Sequence, residues 1–204
     1  MKKSTRVRIL RKKRVYDGHF RLDLYTIRHA LYRGGMTAPI SREVFERGNT
    51  VGILLYDPKR DALVLVEQFR LPAHLAGFPA WQTEIVAGII DHRREQPRAV
   101  AIREAYEEAG IKLSEAPFLA QRYMTTPGGS TETFHLFCAR VDTNGVGGLH
   151  GLPDEHEDIR VTVKSFRAAM RLALTGRIQN GPTLLALYWL AANRARLRRR
   201  WRQR

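Results

Sequence analysis

Three glutamates, Glu104, Glu107 and Glu108, have the spacing that places side chains on one face of a helix. The flanking residues predict that helix, because Pro97 suits a first turn and Gly110 suits an end. Three like charges at this spacing destabilise a helix unless a cation neutralises them. Carboxylate oxygens are the ligands that Mg2+ prefers, and Mg2+ readily binds phosphate oxygens as well. The pattern therefore predicts a metal site that acts on phosphate.

Residues just before this helix extend the pattern. Seven residues separate Glu95 from Arg103, and Gly88 follows Ala87, whose free backbone carbonyl is one more oxygen ligand. The alternative interpretation is a solvated acidic helix face. That alternative is typical of a single Glu pair and not of this longer pattern.

The elements that position these residues follow from periodicity. Alternating and β-rich runs predict strands, and one-sided apolar runs with suitable end residues predict helices. The predicted strands span residues 6–10, 20–31, 51–56, 62–66, 117–124, 133–141 and 159–163, and the predicted helices span 97–109, 166–175 and 182–196. Turn residues at 57–61 predict a hairpin. The order lacks βαβ regularity, so we expect a mixed α/β protein with a mixed or antiparallel sheet.

The net charge of +15 is located at the two ends of the chain. Residues 1–14 hold eight Lys or Arg, residues 194–204 hold seven Arg, and residues 15–193 are formally neutral. Blocks of like charge usually stay solvated, so we interpret the ends as peripheral tails. The alternative is non-specific attraction to nucleic acid or anionic lipid.

Composition limits the class of protein and its compartment. With 44% hydrophobic and 27% charged residues, the 204-residue chain has the composition of a globular protein with a sizeable core. No stretch reaches the roughly 18 apolar residues of a membrane span, and the basic N-terminus lacks an apolar signal region. Cys138 is the single cysteine, and we interpret it as a core residue. We therefore expect a cytoplasmic protein with no membrane partner.

The segment from Gly88 to Ile111 resembles the Nudix box, Gly-x5-Glu-x7-Arg-Glu-U-x-Glu-Glu-x-Gly-U, in which U is apolar. Everything from Glu95 to Ile111 fits, but six residues rather than five separate Gly88 from Glu95. This departure predicts either a one-residue insertion or a rebuilt turn with Arg94 where related enzymes have glycine. That loop sets the direction of the Ala87 carbonyl.

The resemblance extends over residues 6–193 and narrows to the ADP-ribose pyrophosphatase branch of the family. The stretches that resemble this branch are 44–49, 67–70 and 127–132. Pro127 lies sixteen residues after Ile111, the offset associated with ADP-ribose preference. Residues 151–160 look like the loop that supplies the catalytic base.

The resemblance implies a fold and a domain organisation. The implied fold is the Nudix α/β/α sandwich with a mixed sheet, preceded by an N-terminal β segment. We expect a basic tail at 1–14, a β segment for dimerisation at 15–48, the Nudix hydrolase domain at 49–193 and an Arg-rich tail at 194–204. A homodimer that exchanges its N-terminal segments is also implied.

The resemblance also implies roles for individual residues. The implied metal ligands are Ala87, Glu104, Glu107, Glu108 and Glu157. Glu155 is the expected general base, with Glu157 as the alternative, and Arg103 is expected to orient a ligand carboxylate. The expected substrate-binding residues are Phe20, Arg47, Arg70, Ile89 and Glu132.

The implied activity is hydrolysis of ADP-ribose to AMP and ribose 5-phosphate, dependent on Mg2+ or on Mn2+ in its place. One alternative is another nucleoside diphosphate sugar such as GDP-mannose, for which the metal chemistry is unchanged. A second alternative is an RNA-associated binding protein that uses its basic tails. The intact carboxylate set argues against this second alternative, since a binding protein does not need stacked negative charges.

Overall fold

The structure is a computed structural model that describes residues 6–90 and 95–202, except for the side chains of Glu155 and Arg202. It divides into two compact units. The first unit comprises the chain through Asn49 together with Met124–Thr133, and the second comprises Thr50–Tyr123 together with the chain from Phe134 onward.

In its described part, the first unit contains an antiparallel sheet of three strands in the order β1-β2-β3. The strands are β1 (Val7–Asp17), β2 (Arg21–His29) and β3 (Ile40–Glu46). The segment Met124–Thr133 contacts β3, because Phe45 N donates to Gly129 O at 2.8 Å and Ser130 Oγ donates to Phe45 O at 3.0 Å.

The basic segment expected to be an N-terminal tail is a strand over residues 7–14. Two of its basic side chains form ion pairs with the buried Asp23 of β2. Asp23 lies 2.9 Å from Lys12 Nζ and 2.8 Å from Arg14 Nε. The Arg14 and Lys12 side chains hold the pKa of Asp23 at about 2. Two of the basic residues therefore neutralise a buried carboxylate, which a solvated tail would not do.

The second unit contains a mixed sheet of eight strands over its described residues. The main order is β10-β11-β5-β4-β9-β8, with β6 added beside β5 and β7 added beside β4. The strands are β4 (Thr50–Asp57), β5 (Ala62–Phe69), β6 (Trp81–Glu84), β7 (Val86–Ile89), β8 (Phe118–Met124), β9 (Thr133–Arg140), β10 (Gly148–His150) and β11 (Ile159–Ser165). β4 runs parallel to β9 and antiparallel to β5 and β7. The predicted β4–β5 hairpin is present, with Asp57 paired to Ala62.

Helices cover both faces of this sheet. They are α1 (Leu71–Leu75), α2 (Pro97–Glu107), α3 (Phe166–Leu174) and α4 (Gly181–Arg202). Alternate residues of β4 enter two hydrophobic clusters, Ile53 on the side of α2 and Leu54 on the side of α3 and α4. This is the predicted α/β/α arrangement. No helix within the described residues has the length and apolar character needed to cross a membrane.

The Arg-rich C-terminal segment continues α4 through Arg202 rather than leaving the fold as a tail. Leu197 and Trp201, four residues apart on one helix face, are 1% and 6% exposed in the cluster beside α3. Arg194 pairs with Asp61, with its Nε 2.6 Å from Oδ1. Apolar burial and this ion pair hold the segment on the second unit.

Candidate active site

Helix α2 presents its carboxylates beside the sheet. Val100, Ala101 and Ala105 are buried against β4, and Glu104 and Glu108 are 8% and 2% exposed. The helix ends at Glu107, and Glu108 is its C-cap residue. Two of the three glutamates at the predicted spacing, Glu104 and Glu108, are therefore buried.

Strand β7 meets these carboxylates at Ala87 and Gly88. The Glu104 carboxylate lies in the space that a Cβ on residue 88 would fill, so any other residue there must displace the Glu104 side chain. Ala87 N donates to Glu108 Oε2 at 3.0 Å, and Gln68 Nε2 of β5 lies 3.3 Å from Glu108 Oε1. The predicted longer loop after Gly88 falls largely on residues 91–94, which lie outside the described residues.

Arg103 holds the outer carboxylates of the helix. Its guanidinium lies 2.6 Å from Glu107 Oε2, 3.0 Å from Glu104 Oε1 and 3.7 Å from Glu95 Oε1. One cation thus faces three carboxylates, and its single charge cannot compensate all three.

The loop after β10 brings Glu157 close enough for its charge to act on Glu108. Gly151 N donates to the Glu107 carbonyl at 3.3 Å, and Leu152 N donates to Glu157 Oε2 at 3.2 Å. Gly151 has φ +101°, and a Cβ there would collide with Glu157. A short 3-10 turn, Pro153–Glu155, follows, and the side chain of Glu155 lies outside what the structure describes.

The pKa of the Glu108 carboxyl is strongly shifted. Burial raises the pKa of its carboxyl to about 8, with contributions from the negative charges of Glu104 and Glu157. A bound cation removes the cost of keeping this group ionised. The all-oxygen donor set fits a hard divalent ion such as Mg2+. In residues 6–90 and 95–202, however, no three acidic, histidine or cysteine side chains are already gathered as a metal-binding group.

Three of the predicted substrate-binding residues lie together in the first unit. The Arg47 guanidinium lies over the Phe20 ring at 5.5 Å, and Arg47 Nη1 is 3.4 Å from Glu132 Oε1. Thr125 Oγ1 donates to Glu132 Oε2 at 2.6 Å. The Nε of Arg47 is buried without a hydrogen-bond partner among the described residues. This group presents an arginine beside an aromatic ring.

The other two predicted substrate-binding residues lie in the second unit. Arg70, at the end of β5, binds Glu84 through Nε at 3.2 Å and Nη2 at 2.8 Å. Asn180 Nδ2 donates to Glu84 Oε1 at 3.0 Å. Ile89 is the last residue of β7, is half-buried and pairs with Thr50.

Residues 46–184 match the family model of the NUDIX domain. The chain belongs to the Nudix family. An ADP-ribose pyrophosphatase of Escherichia coli (strain K12) is 40% identical to this Nudix chain over 196 residues, which are 96% of this chain and 92% of the relative. A GDP-mannose pyrophosphatase of Shigella flexneri is 35% identical over 189 residues, which are 92% of this chain and 96% of the relative.

A solved structure described as a crystal structure of ADP compounds hydrolase has the same fold as this Nudix chain. Its TM-score is 0.72 at 17% identity, and the match covers 97% of this chain and 100% of that one. At this identity the likeness shows the fold alone. The predicted assignment to the Nudix hydrolases and the predicted fold are confirmed.

Three residues of the Nudix site were not predicted from the sequence. Gln68 and Glu84 come from β5 and β6, and Asn180 precedes α4 and accepts from Thr183 N at 2.9 Å. An N-cap signal was present at Asn180, because Gly181-Pro182-Thr183 follows it. Gln68 lies within the resembling stretch 67–70, and Glu84 lies four residues before Gly88, but nothing in their own spacing indicates a role.

Proposed function

We propose that this protein hydrolyses the diphosphate bond of ADP-ribose to give AMP and ribose 5-phosphate, with a divalent cation, Mg2+ or Mn2+, as cofactor. The observation that carries the metal-dependent chemistry is the buried Glu108 carboxyl between two other glutamates. ADP-ribose is favoured as substrate by the relative named ADP-ribose pyrophosphatase and by the spacing of Pro127 from Ile111.

The proposed cation ligands are Glu104, Glu107 and Glu108, together with the Ala87 carbonyl and Glu157. When bound, the cation supplies charge neutralisation for phosphoryl oxygens on which negative charge builds. Gln68 and the Ala87 N–H hold Glu108, and Arg103 holds Glu104 and Glu107. The proposed role of Arg103 is therefore to orient carboxylates that are ligands themselves.

In the proposed reaction, water attacks phosphorus, and its proton passes to a carboxylate of the 151–158 loop. The new P–O bond forms as the bond to the bridging oxygen breaks, so that AMP and ribose 5-phosphate separate. We assign the base role to Glu155, with Glu157 as the alternative. One oxygen of Glu157 already accepts from Leu152 N, which supports a role for Glu157 in holding the loop.

Arginines are the proposed contacts of the diphosphate. Arg70 uses Nε and Nη2 for Glu84, and its fork keeps a further nitrogen for a phosphate oxygen. Arg47 and Glu132 are proposed to bind the substrate, and Phe20 is proposed to stack on its base. A cytoplasmic homodimer that exchanges its N-terminal segments also belongs to this proposal, supported by the resemblance of residues 44–49.

A substrate panel tests the proposal. Purified protein is given ADP-ribose, GDP-mannose, NADH or 5′-triphosphate RNA with Mg2+, Mn2+ or EDTA, and products are resolved by chromatography. We expect ADP-ribose to have the highest kcat/KM, by about tenfold or more, and EDTA to abolish turnover. The 35% identical relative is named GDP-mannose pyrophosphatase. A higher kcat/KM for GDP-mannose would therefore make GDP-mannose the assigned substrate in place of ADP-ribose. Retained turnover in EDTA or in Glu104→Gln would remove the metal assignment. Glu115→Gln, at the ion pair with Arg140, is the control for loss of a glutamate charge away from the site.

A further inference from the structure

The second unit contains a cavity whose lining shares no residue with the proposed active site. It has a volume of about 540 Å3 and lies beside the β4–β5 turn, the end of β9 and the last turns of α4. Its apolar lining includes Pro58, Val141 and Trp201. This volume is within the range of about 300–1,000 Å3 that small-molecule sites occupy.

The two carboxylates that line this cavity are already engaged. Asp57 accepts from Thr143 N and Oγ1 at 3.0 and 2.8 Å and from the N–H groups of Lys59 and Arg60 at 2.9 and 3.0 Å. Asp142 lies 2.5 Å from Arg60 Nη1 and accepts from the N–H of Asn144 at 2.9 Å. Arg60 lies close to both carboxylates, and the neutral donors fix their positions without cancelling their charge. The lining therefore holds three basic and two acidic side chains.

Three basic side chains line the same cavity, and one of them forms a close ion pair. Arg140 pairs with Glu115 at 2.8 Å. Over the described ranges, neither Lys59 nor Arg198 forms a close ion pair, although the charge of Arg198 contributes to the lowered pKa of Asp61, and Arg198 Nε is buried without a hydrogen-bond partner. A buried donor of this kind costs free energy unless an acceptor reaches it.

Arginine near a helix C-terminus has an ordinary explanation, since positive charge there complements the helix dipole. Arg200, in the last turn of α4, fits that explanation, whereas Arg194 lies about two turns before the helix end, and both contact protein. Arg194 pairs with Asp61, and the Arg200 guanidinium lies 5.2 Å from the centre of the Phe118 ring. Arg198 differs, because it lines the cavity and its guanidinium forms no hydrogen bond in the described part of the chain. Its Nε is buried, so the terminal nitrogens are the donors that a ligand in the cavity can reach.

We propose that this cavity is a second site, which binds a small phosphate-bearing anion. Arg198 and Lys59 bind the phosphate oxygens, and Pro58, Val141 and Trp201 contact the less polar part of the ligand. A nucleoside monophosphate and free inorganic phosphate share the recognised group, and the volume and apolar wall favour the nucleoside monophosphate. This second site is inferred only from the residues that line the cavity, and the inference does not depend on the substrate assigned to the active site.

The test measures the 19F NMR signal of Trp201, which lines the cavity. The three tryptophans are labelled with 5-fluorotryptophan, the signals are assigned with Trp81→Phe and Trp189→Phe, and 19F spectra are recorded in EDTA. Inorganic phosphate and AMP are titrated separately. We expect a saturable shift of the Trp201 signal with both probes. Tighter binding of AMP would show that the apolar wall contacts the nucleoside, and equal binding would show that the site recognises phosphate alone.

Matched variants assign the binding to the cavity. We expect Arg198→Met to weaken the titration about tenfold or more, the loss typical of a hydrogen bond to a charged group. Arg196→Met, which removes an exposed charge two residues away, is expected to titrate as the wild type. Lys59→Met repeats the test at an exposed position if Arg198→Met does not fold. A Trp201 signal that does not move, or unchanged binding in both Arg198→Met and Lys59→Met, would overturn the proposal.

Discussion

The carboxylate of Glu104 occupies the space in which residue 88 would carry its Cβ. This close approach couples the strand before the Nudix helix to the helix itself. It gives a physical reason for glycine at the first position of the box, where the neighbour is a proposed metal ligand.

Gly88→Ala is therefore expected to displace Glu104 and to lower kcat about 100-fold, the scale of a 1 Å misplacement near the chemistry. The loss in the free energy of unfolding should be about 1–3 kcal/mol, as for other overpacked sites. Steady-state kinetics and thermal unfolding measure the two effects. Gly181→Ala is the control, because a Cβ at residue 181 has no neighbour within 4 Å. Wild-type kinetics in Gly88→Ala would show that Glu104 can move without cost.

The identity of the general base is tested by two substitutions in one loop. Glu155→Gln should reduce kcat by about 10²–10⁴ with little change in substrate binding, as for the loss of a general base. Glu157→Gln should have the smaller effect on kcat and should loosen the loop, because Glu157 accepts from Leu152 N. Single-turnover kinetics and hydrogen exchange separate these outcomes. The reverse ranking of the two kcat values would transfer the base role to Glu157.

Arg70→Lys tests whether the guanidinium fork matters. A single ammonium cannot keep both contacts with Glu84 and still reach the diphosphate. We expect KM for ADP-ribose to rise about tenfold, with a smaller change in kcat, because a charged hydrogen bond to substrate is lost. Arg140→Lys, at the ion pair with Glu115 outside the proposed active site, is the matched control. Equal effects of the two substitutions would mean that Arg70 has only a structural role.

Asp57 predicts how stability depends on pH. Burial opposes its ionisation, but hydrogen bonds from Thr143, Arg60 and Lys59 prevail and lower its pKa from 3.8 to about 2. Because the folded pKa is the lower one, the stabilisation is complete above pH 4 or so and is lost as the pH falls towards 2. The ionised group contributes about 2 kcal/mol at neutral pH.

Denaturant unfolding between pH 2 and pH 7 measures this contribution. Asp57→Asn should be less stable at pH 7 and should lose less stability on acidification than the wild type. Asp142→Asn, at an exposed aspartate that shares Arg60, is expected to keep the wild-type slope. Parallel pH profiles for the wild type and Asp57→Asn would contradict the assignment.

The sequence predicted the parts of the fold that local pattern determines. Helix α2 was predicted because Pro97 and Gly110 mark its ends, and the β4–β5 hairpin because turn residues separate two apolar runs. Strand β3 was not predicted, because its pairing with β2 rather than its own alternation defines it. Helix α1 was not predicted either, since its five residues include no buried side chain.

The same distinction applies to the candidate site and to the charged ends. Glu104 and Glu108 were predicted because both lie on one helix, whereas Gln68 and Glu84 reach the site only through the pairing of β5 with β6. From the sequence, the C-terminal arginines indicated only a block of positive charge and therefore a peripheral tail. The buried Leu197 and Trp201 between them, which dock the segment, give a far weaker signal than seven arginines do.

Ile53 and Leu54 are neighbours in β4, yet they enter different hydrophobic clusters, one beneath the carboxylate helix and one beneath α3 and α4. The sheet therefore separates most of the α3–α4 layer from the chemistry, with two exceptions. Ala87 packs against the α3–α4 cluster, and Asn180 at the start of α4 donates to Glu84. An engineer who seeks higher thermal tolerance can redesign the α3–α4 side if these two contacts are kept.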